Sequence, residues 1–311
     1  MNIAATAQKS PTNKKLQAKL AELRGKTHLP AELVELVTLV ARLQNEYLPR
    51  VVFNSGRKPL PAETADKLSP GDRRYAGLPI LPGKEFPLDL PLVDDLAREL
   101  LVTLPEAIPL LADHAHNLAA KWDAKPDLLE AASREILDPL PYGQRLPHLD
   151  AWAEEHPEAP HFFRFVVMSA AMPSLVIVGR LLGEEHDKEK VWTHGHCPVC
   201  GNQPLMGRLV DKEGRRLHSC SFCSFEYRAP RMGCPFCLTS EDDGAEYHVS
   251  EDESGYLLTV CKSCNNYFKL RDFREYDRPW FPLLDDLSSI TLDLYARKMD
   301  YSRPTLSGWG F

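Results

Sequence analysis

Over the first 190 residues, apolar positions recur at intervals of three and four. Leu33, Leu36, Val37, Val40, Leu43 and Tyr47 line one face of a helix that begins near Pro30, a residue suited to a first helical turn. Similar stretches predict helices over about 91–103, 105–122, 126–138, 147–155, 159–172 and 174–183, punctuated by proline. The most apolar run, Phe165 to Gly179, contains Pro173 and is followed by Arg180. At about fifteen residues it falls short of the ~20 that span a bilayer, and it reads as a buried helix pair. Asn54 to Leu90 is rich in Pro and Gly and reads as a long ordered loop wrapping the helices, while residues 1–13 read as a loose tail.

After Lys190 the pattern changes to short alternating segments and cysteine pairs, and it repeats. CPVC is followed by CSFC, and CPFC by CKSC. Gly214 and Gly255 each precede the second pair of their unit by six residues, and Leu217 and Leu258 precede it by three. Tyr227 and Phe268 follow the last cysteine of each unit by four, with Arg228 and Lys269 next. Between the pairs, 204–210 and 215–219 flank a turn ending at Gly214, and 246–249 and 256–260 flank one ending at Gly255, the signature of a hairpin. Each unit is a knuckle, a hairpin and a second knuckle, the plan of a zinc ribbon or rubredoxin.

All eight cysteines fall in these pairs: Cys197, Cys200, Cys220 and Cys223, then Cys234, Cys237, Cys261 and Cys264. A chain of this length needs no covalent staples, and a reducing cytosol would open them, so metal is the better explanation. Two residues between sulfurs form a tight turn that aims both at one ion, and four thiolates suit zinc or a single iron. Such turns favour a left-handed residue after the second cysteine. Gly201 and Asn265 tolerate that conformation, Ser224 ends the second knuckle, and Leu238 predicts a less regular third knuckle. The duplication predicts four-sulfur sites within each unit and leaves a cross-braced alternation open. Two closed sites leave no vacancy for hydrolytic chemistry, and units this small should fold only with their metal.

The rest of the chain narrows the reading. The composition is 43% hydrophobic and 26% charged, that of a soluble globular protein. With 37 basic against 44 acidic residues, the formal charge of −7 offers no cationic excess to nucleic acid. The aromatic and basic residues around Phe222, Phe225, Tyr227, Arg215, Arg216, Arg228 and Arg231 therefore read first as ribbon core and thiolate countercharge. His194 and His196, beside Cys197, read as solvated neighbours, and the remaining histidines form no constellation. Asp285 and Asp286 open an amphipathic helix (LLDDLSSITLDLYARKM), where they suit capping or partner contact better than acid–base catalysis. No export signal, phosphate-binding loop or hydrolase motif is visible.

The ordered set HGHCPVCG (194–201), CSFC (220–223), RMGCPFC (231–237), VCKSCNNYFK (260–269) and DDLSSITLD (285–293) closely resembles the formate dehydrogenase accessory protein family, the FdhE type. The resemblance is specific over about 190–300. It implies a cytoplasmic, non-enzymatic assembly factor that binds the catalytic subunit of respiratory formate dehydrogenase before export, associates with iron and can form homodimers. Zinc is the alternative metal, and the eight cysteines carry over as ligands. The expected fold is α+β and multidomain: an all-α domain over 1–190, rubredoxin-like modules over 191–230 and 231–311, and a C-terminal helix over about 281–299. A rubredoxin-like electron carrier and a nucleic-acid-binding zinc ribbon are the competing functions, and membrane insertion is not expected.

Overall fold

The computed structural model describes residues 13–52, 76–137, 145–240, 245–249, 254–272, 274–275 and 278–305. It divides into two units, one holding the described residues of 1–57 and 83–178, the other those of 58–82 and 179–308. The division at Val178/Gly179 precedes the compositional change at Lys190 and lies inside a helix.

The first unit is helical: α1 (Asn13–Arg24), α2 (Ala31–Tyr47), α3 (Leu90–Ala107), α4 (Ala112–Ala124), α5 (Leu128–Leu137), α6 (Pro147–Glu155) and most of α7 (Phe162–Leu182). Each buries its apolar stripe, for example Val37, Val40 and Leu43 on α2 and Leu96, Leu100 and Leu104 on α3. Carboxylates satisfy the starts of α3 and α6. One Asp89 oxygen accepts from the Leu92 amide (3.3 Å), the other from the Val52 amide (2.8 Å). Glu135 of α5 accepts from the His148 and Leu149 amides (2.9 and 3.1 Å) at the start of α6. Helix α1 was not expected, although Leu16, Leu20 and Leu23 are spaced for one face and are buried. The tail expected over 1–13 falls, up to residue 12, outside the described residues.

Two prolines do not break helices where the sequence reading expects. Pro105 lies inside α3, and Pro173 inside α7, so the helix pair expected over 159–172 and 174–183 is one helix of 21 residues. A helical proline leaves the carbonyl four residues earlier without its donor. For Pro173 that carbonyl belongs to Ser169, and it accepts from Gln44 Nε2 of α2 at 2.9 Å. A tertiary bond thus replaces the missing helical one. By length and composition Phe162–Glu185 passes as a membrane span, but 67% of its apolar window is buried within the protein, as in a core helix.

The second unit is built on six strands: β1 (Pro204–Val210), β2 (Arg215–Cys220), β3 (Glu226–Arg228), β4 (Ala245–Val249), β5 (Tyr256–Cys261) and β6 (Asn266–Asp272). The two hairpins of the repeat are present, each extended by a third strand. The repeats are not separate sheets. Their order is β3-β2-β1-β6-β5-β4, joined by a parallel pairing of Gly207, Arg208 and Leu209 with Leu270, Arg271 and Asp272. Corresponding strands run the same way, so the modules are stacked head to tail. The junction needs Gly207, where a Cβ would lie 2.6 Å from Leu270 Cδ2 and 3.0 Å from the Leu217 carbonyl oxygen. Leu205 and Met206 of β1 share a core with Tyr256, Leu258, Val260 and Tyr267.

Of the proline-rich segment expected to wrap the helices, 53–75 lies outside the described residues. The stretch just beyond it runs along the first knuckle instead: the Ile80 and Leu81 amides donate to the Pro198 and Val199 carbonyls (2.9 Å each). The single C-terminal helix expected over 281–299 is two, α8 (Pro282–Ser288) and α9 (Ile290–Lys298). The serine pair interrupts it: Ser288 Oγ donates to the Leu284 carbonyl (2.8 Å) and Ser289 Oγ to the Asp285 carbonyl (2.9 Å), competing with the helical ladder. Leu292 and Ala296 of α9 complete the core over the sheet.

Candidate metal centres

Each knuckle closes as the sequence implies. Gly201, Ser224, Leu238 and Asn265 all adopt the left-handed conformation, with φ of 80°, 55°, 63° and 56°. The amides of Gly201, Leu238 and Asn265 donate back to the first cysteine's carbonyl at 2.9, 3.1 and 2.9 Å. The third knuckle is therefore as regular as the others, against expectation. Its leucine accepts a backbone strain of about 1–2 kcal/mol and keeps its side chain half exposed.

These turns gather the sulfurs within units, which settles the cross-braced alternative. Cys197, Cys200, Cys220 and Cys223 form one cluster, Cys234, Cys237, Cys261 and Cys264 the other, with the sulfurs of each within 4.8 Å of one another. In the first, Cys197–Cys223 is 3.8 Å, Cys200–Cys220 3.3 Å and Cys200–Cys223 3.6 Å; in the second, Cys234–Cys264 is 3.7 Å and Cys237–Cys261 3.6 Å. A disulfide requires about 2.05 Å, whereas a tetrahedron of sulfurs ~2.3 Å from a central ion has edges of about 3.8 Å. The spacing fits a four-coordinate soft cation, so each cluster can hold one metal ion.

The surroundings suit thiolate. The Phe222 and Phe236 amides point at Cys220 and Cys234 Sγ (3.4 Å each), and the Asn202 and Asn266 side-chain amides point at Cys200 and Cys264 Sγ (3.6 and 3.4 Å). Without a cation the four sulfurs cannot all ionise. Burial pushes the Cys197 and Cys223 thiols well up, and Cys220 is held down against burial only by hydrogen bonds from the other three. A bound divalent ion reverses that balance. The two sites differ in access: the first is buried throughout, while Cys237 is exposed and Cys264 partly so.

His194 and His196 stay out of the first cluster. His196 Nε2 lies 2.8 Å from the Gly77 carbonyl oxygen, and its ring stands edge-on to Trp192. A histidine grouping that the sequence did not reveal brings His114 and His156 to 3.8 and 3.5 Å from the exposed Glu158 carboxylate, with His156 stacked on Trp152.

Asp285 and Asp286 are not surface groups, which corrects their reading as a partner contact. They are 0% and 5% exposed and face β6. Asp285 pairs with Arg271 and accepts from Tyr256 Oη at 2.7 Å. Asp286 lies 2.8 Å from both Lys269 and Arg303, and Lys269 also reaches Asp293 at 2.6 Å. The sequence signal for this network was the alternation of Lys269 and Arg271 on one face of a strand, opposite two aspartates on a helix.

Comparison with known proteins bears on the same region. Residues 196–231 match the family described as FdhE, central domain. An FdhE homolog of Aquifex aeolicus is 31% identical over 151 residues, 48% of this chain and 52% of that protein. An FdhE homolog of Cronobacter sakazakii is 25% identical over 245 residues, 72% of this chain and 76% of that protein. The chain thus spans about half the length of the Aquifex relative it matches. The crystal structure of the FdhE protein from Pseudomonas aeruginosa shares the fold, with a TM-score of 0.56 and 23% identity over 95% of this chain and 94% of that one.

Proposed function

We propose that the chain is a member of the FdhE family, whose central domain its residues 196–231 match, and that it is a cytoplasmic accessory factor in the maturation of formate dehydrogenase, binding the enzyme's catalytic subunit as a chaperone-like partner. The observation that carries this reading is the pair of four-cysteine clusters set at the turns of one continuous sheet. The eight cysteines are proposed as the ligands of two ions, iron by family resemblance and zinc as the alternative. When bound, the metal supplies a cross-link between knuckles that are otherwise held by short strands. Cys197 and Cys200 then tie to the end of β2 and the loop beyond it, and Cys234 and Cys237 to the end of β5 and its loop. The docking face is a product of metal-ordered folding rather than of any single exposed residue.

The test is affinity capture of the tagged full chain from anaerobic, formate-grown cells, with metal analysis of the same sample and formate dehydrogenase activity as the biological readout. The expected result is co-purification of the catalytic subunit with about two metal ions per chain, and loss of maturation on replacing Cys234 and Cys237 by serine. Capture without that subunit, or full maturation supported by the double variant, refutes the proposal.

A further inference from the structure

A cavity of about 300 Å³ opens between the two modules beside the second sulfur cluster, whose Cys234 forms part of its lining. Met232 and Leu238 stand exposed on its lining, whereas Arg216 and His218, also lining it, are 1% and 2% exposed. Arg216 Nη1 is held by the carbonyls of Gly233 (3.0 Å) and Arg231 (3.4 Å). Its Nε and Nη2, and both ring nitrogens of His218, meet no hydrogen-bond partner among the described residues. Cys234 lies on the same cavity, but its sulfur leaves these donors without a hydrogen bond, and unsatisfied buried donors in a native fold call for a ligand or water.

The unpaired atoms are those that form the planar fork of arginine. Elsewhere in this unit the same edge is used on carboxylates: Arg208 Nε and Nη2 grip Glu226 at 2.7 and 2.5 Å, and Arg274 Nε and Nη2 grip Asp272 at 3.0 and 2.5 Å. The module fold does not itself demand these side chains. Arg216 and His218 precede Cys220 by four and two residues; at the same offsets before Cys261 the second module carries Leu257 and Thr259. We propose that this cavity is a carboxylate-binding site, with the Nε/Nη2 edge of Arg216 as its bidentate anchor and His218 as a second polar contact. A carboxylate bound side-on satisfies both free fork donors with two near-parallel hydrogen bonds, one to each oxygen.

The experiment titrates the metal-loaded full chain with formate, acetate, succinate and inorganic phosphate by calorimetry, alongside Arg216→Lys and Arg216→Leu at matched metal content. Lysine keeps the charge and loses the fork; leucine is the residue that the second module uses. Expected are saturable carboxylate binding, preference over phosphate, and affinity lower by roughly tenfold or more in both variants with metal stoichiometry unchanged. A wild-type chain that shows no saturable carboxylate binding at about 10 mM overturns the proposal and leaves Arg216 as countercharge to the second sulfur cluster. That titration decides even if the variants fail to fold. Equal binding by wild type and Arg216→Lys, or phosphate bound as well as acetate, also overturns it. A short peptide with a free C-terminal carboxylate, compared with its amide and with acetate, distinguishes the two sources of such a group. Tighter binding of the peptide acid assigns a protein-borne carboxylate, and tighter binding of acetate a free small acid.

Discussion

Replacing Lys269 by methionine takes one cation out of the closed network that ties β6 to α8 and α9. Three cations, Lys269, Arg271 and Arg303, face Asp285, Asp286 and Asp293, and no side chain of the six is more than 15% exposed. Methionine fills the space of the lysine stem, so the packing loss is small and one buried carboxylate is left uncompensated. Breaking a buried pair in this way costs about 3–5 kcal/mol. Burial pushes the Asp286 carboxyl up, but Arg303 and Lys269 overcome it and hold it below the usual carboxylate value. In the native protein this contribution is therefore present above the unfolded carboxylate pKa of about 4 and is lost as pH falls below it. In the variant the surplus carboxylate takes up a proton more readily, so the gap from wild type narrows as pH is lowered from 7 toward 5. Hydrogen-exchange mass spectrometry on peptides covering α8 and α9, at matched metal content, reads the opening free energy directly. A gap below about 1 kcal/mol at pH 7, or one that does not narrow on acidification, refutes the account.

Three further outcomes rest on particular contacts. Gln44→Ala strips the Ser169 carbonyl of its donor next to Pro173 and should destabilise the helical unit by about 1–3 kcal/mol, read as a lower urea midpoint by far-UV circular dichroism; an unchanged midpoint means that the carbonyl finds another partner. Leu238→Gly relieves a left-handed leucine and should stabilise the second unit by roughly 0.5–1 kcal/mol without altering metal content, whereas a loss of stability in the metal-loaded chain shows that the side chain matters more than its strain. A competing chelator should remove metal in two phases, the second cluster first because Cys237 is exposed, with α1 to α6 retaining their helicity. Single-phase release, or loss of metal from the buried first cluster ahead of the second, contradicts that order.

The repeat made much of the second unit legible. Offsets of Gly214 and Gly255, and of Tyr227 and Phe268, from their cysteines predicted two hairpins, each between a pair of knuckles, and the structure has both. What the pattern could not carry was long-range. Nothing near Pro173 in the sequence announces Gln44, so a local rule placed a break where a tertiary hydrogen bond preserves a helix. Asp285 and Asp286 fit an exposed first turn by local reasoning. Their burial depends on cations that arrive from β6 and from Arg303, and on where the sheet places them. The serine pair that splits the last helix was visible, but its effect rests on hydroxyl geometry rather than on periodicity.

The head-to-tail joining of the modules explains why a clear repeat predicts the fold better than the sites. Had a twofold axis related the modules, equivalent residues would meet equivalent neighbours. In the observed order, β1 pairs with β6, and β3 and β4 are the two edges, so equivalent positions have different surroundings. Arg228 and Lys269 occupy the same offset after their last cysteines. Arg228 donates to the Glu189 carbonyl at 2.5 Å, while Lys269 lies beneath α8 and α9 between Asp286 and Asp293. Likewise Arg216 lines a cavity between modules, where the second copy carries Leu257. The cysteine turns are local and therefore repeat; the polar chemistry around them is set by stacking and therefore does not.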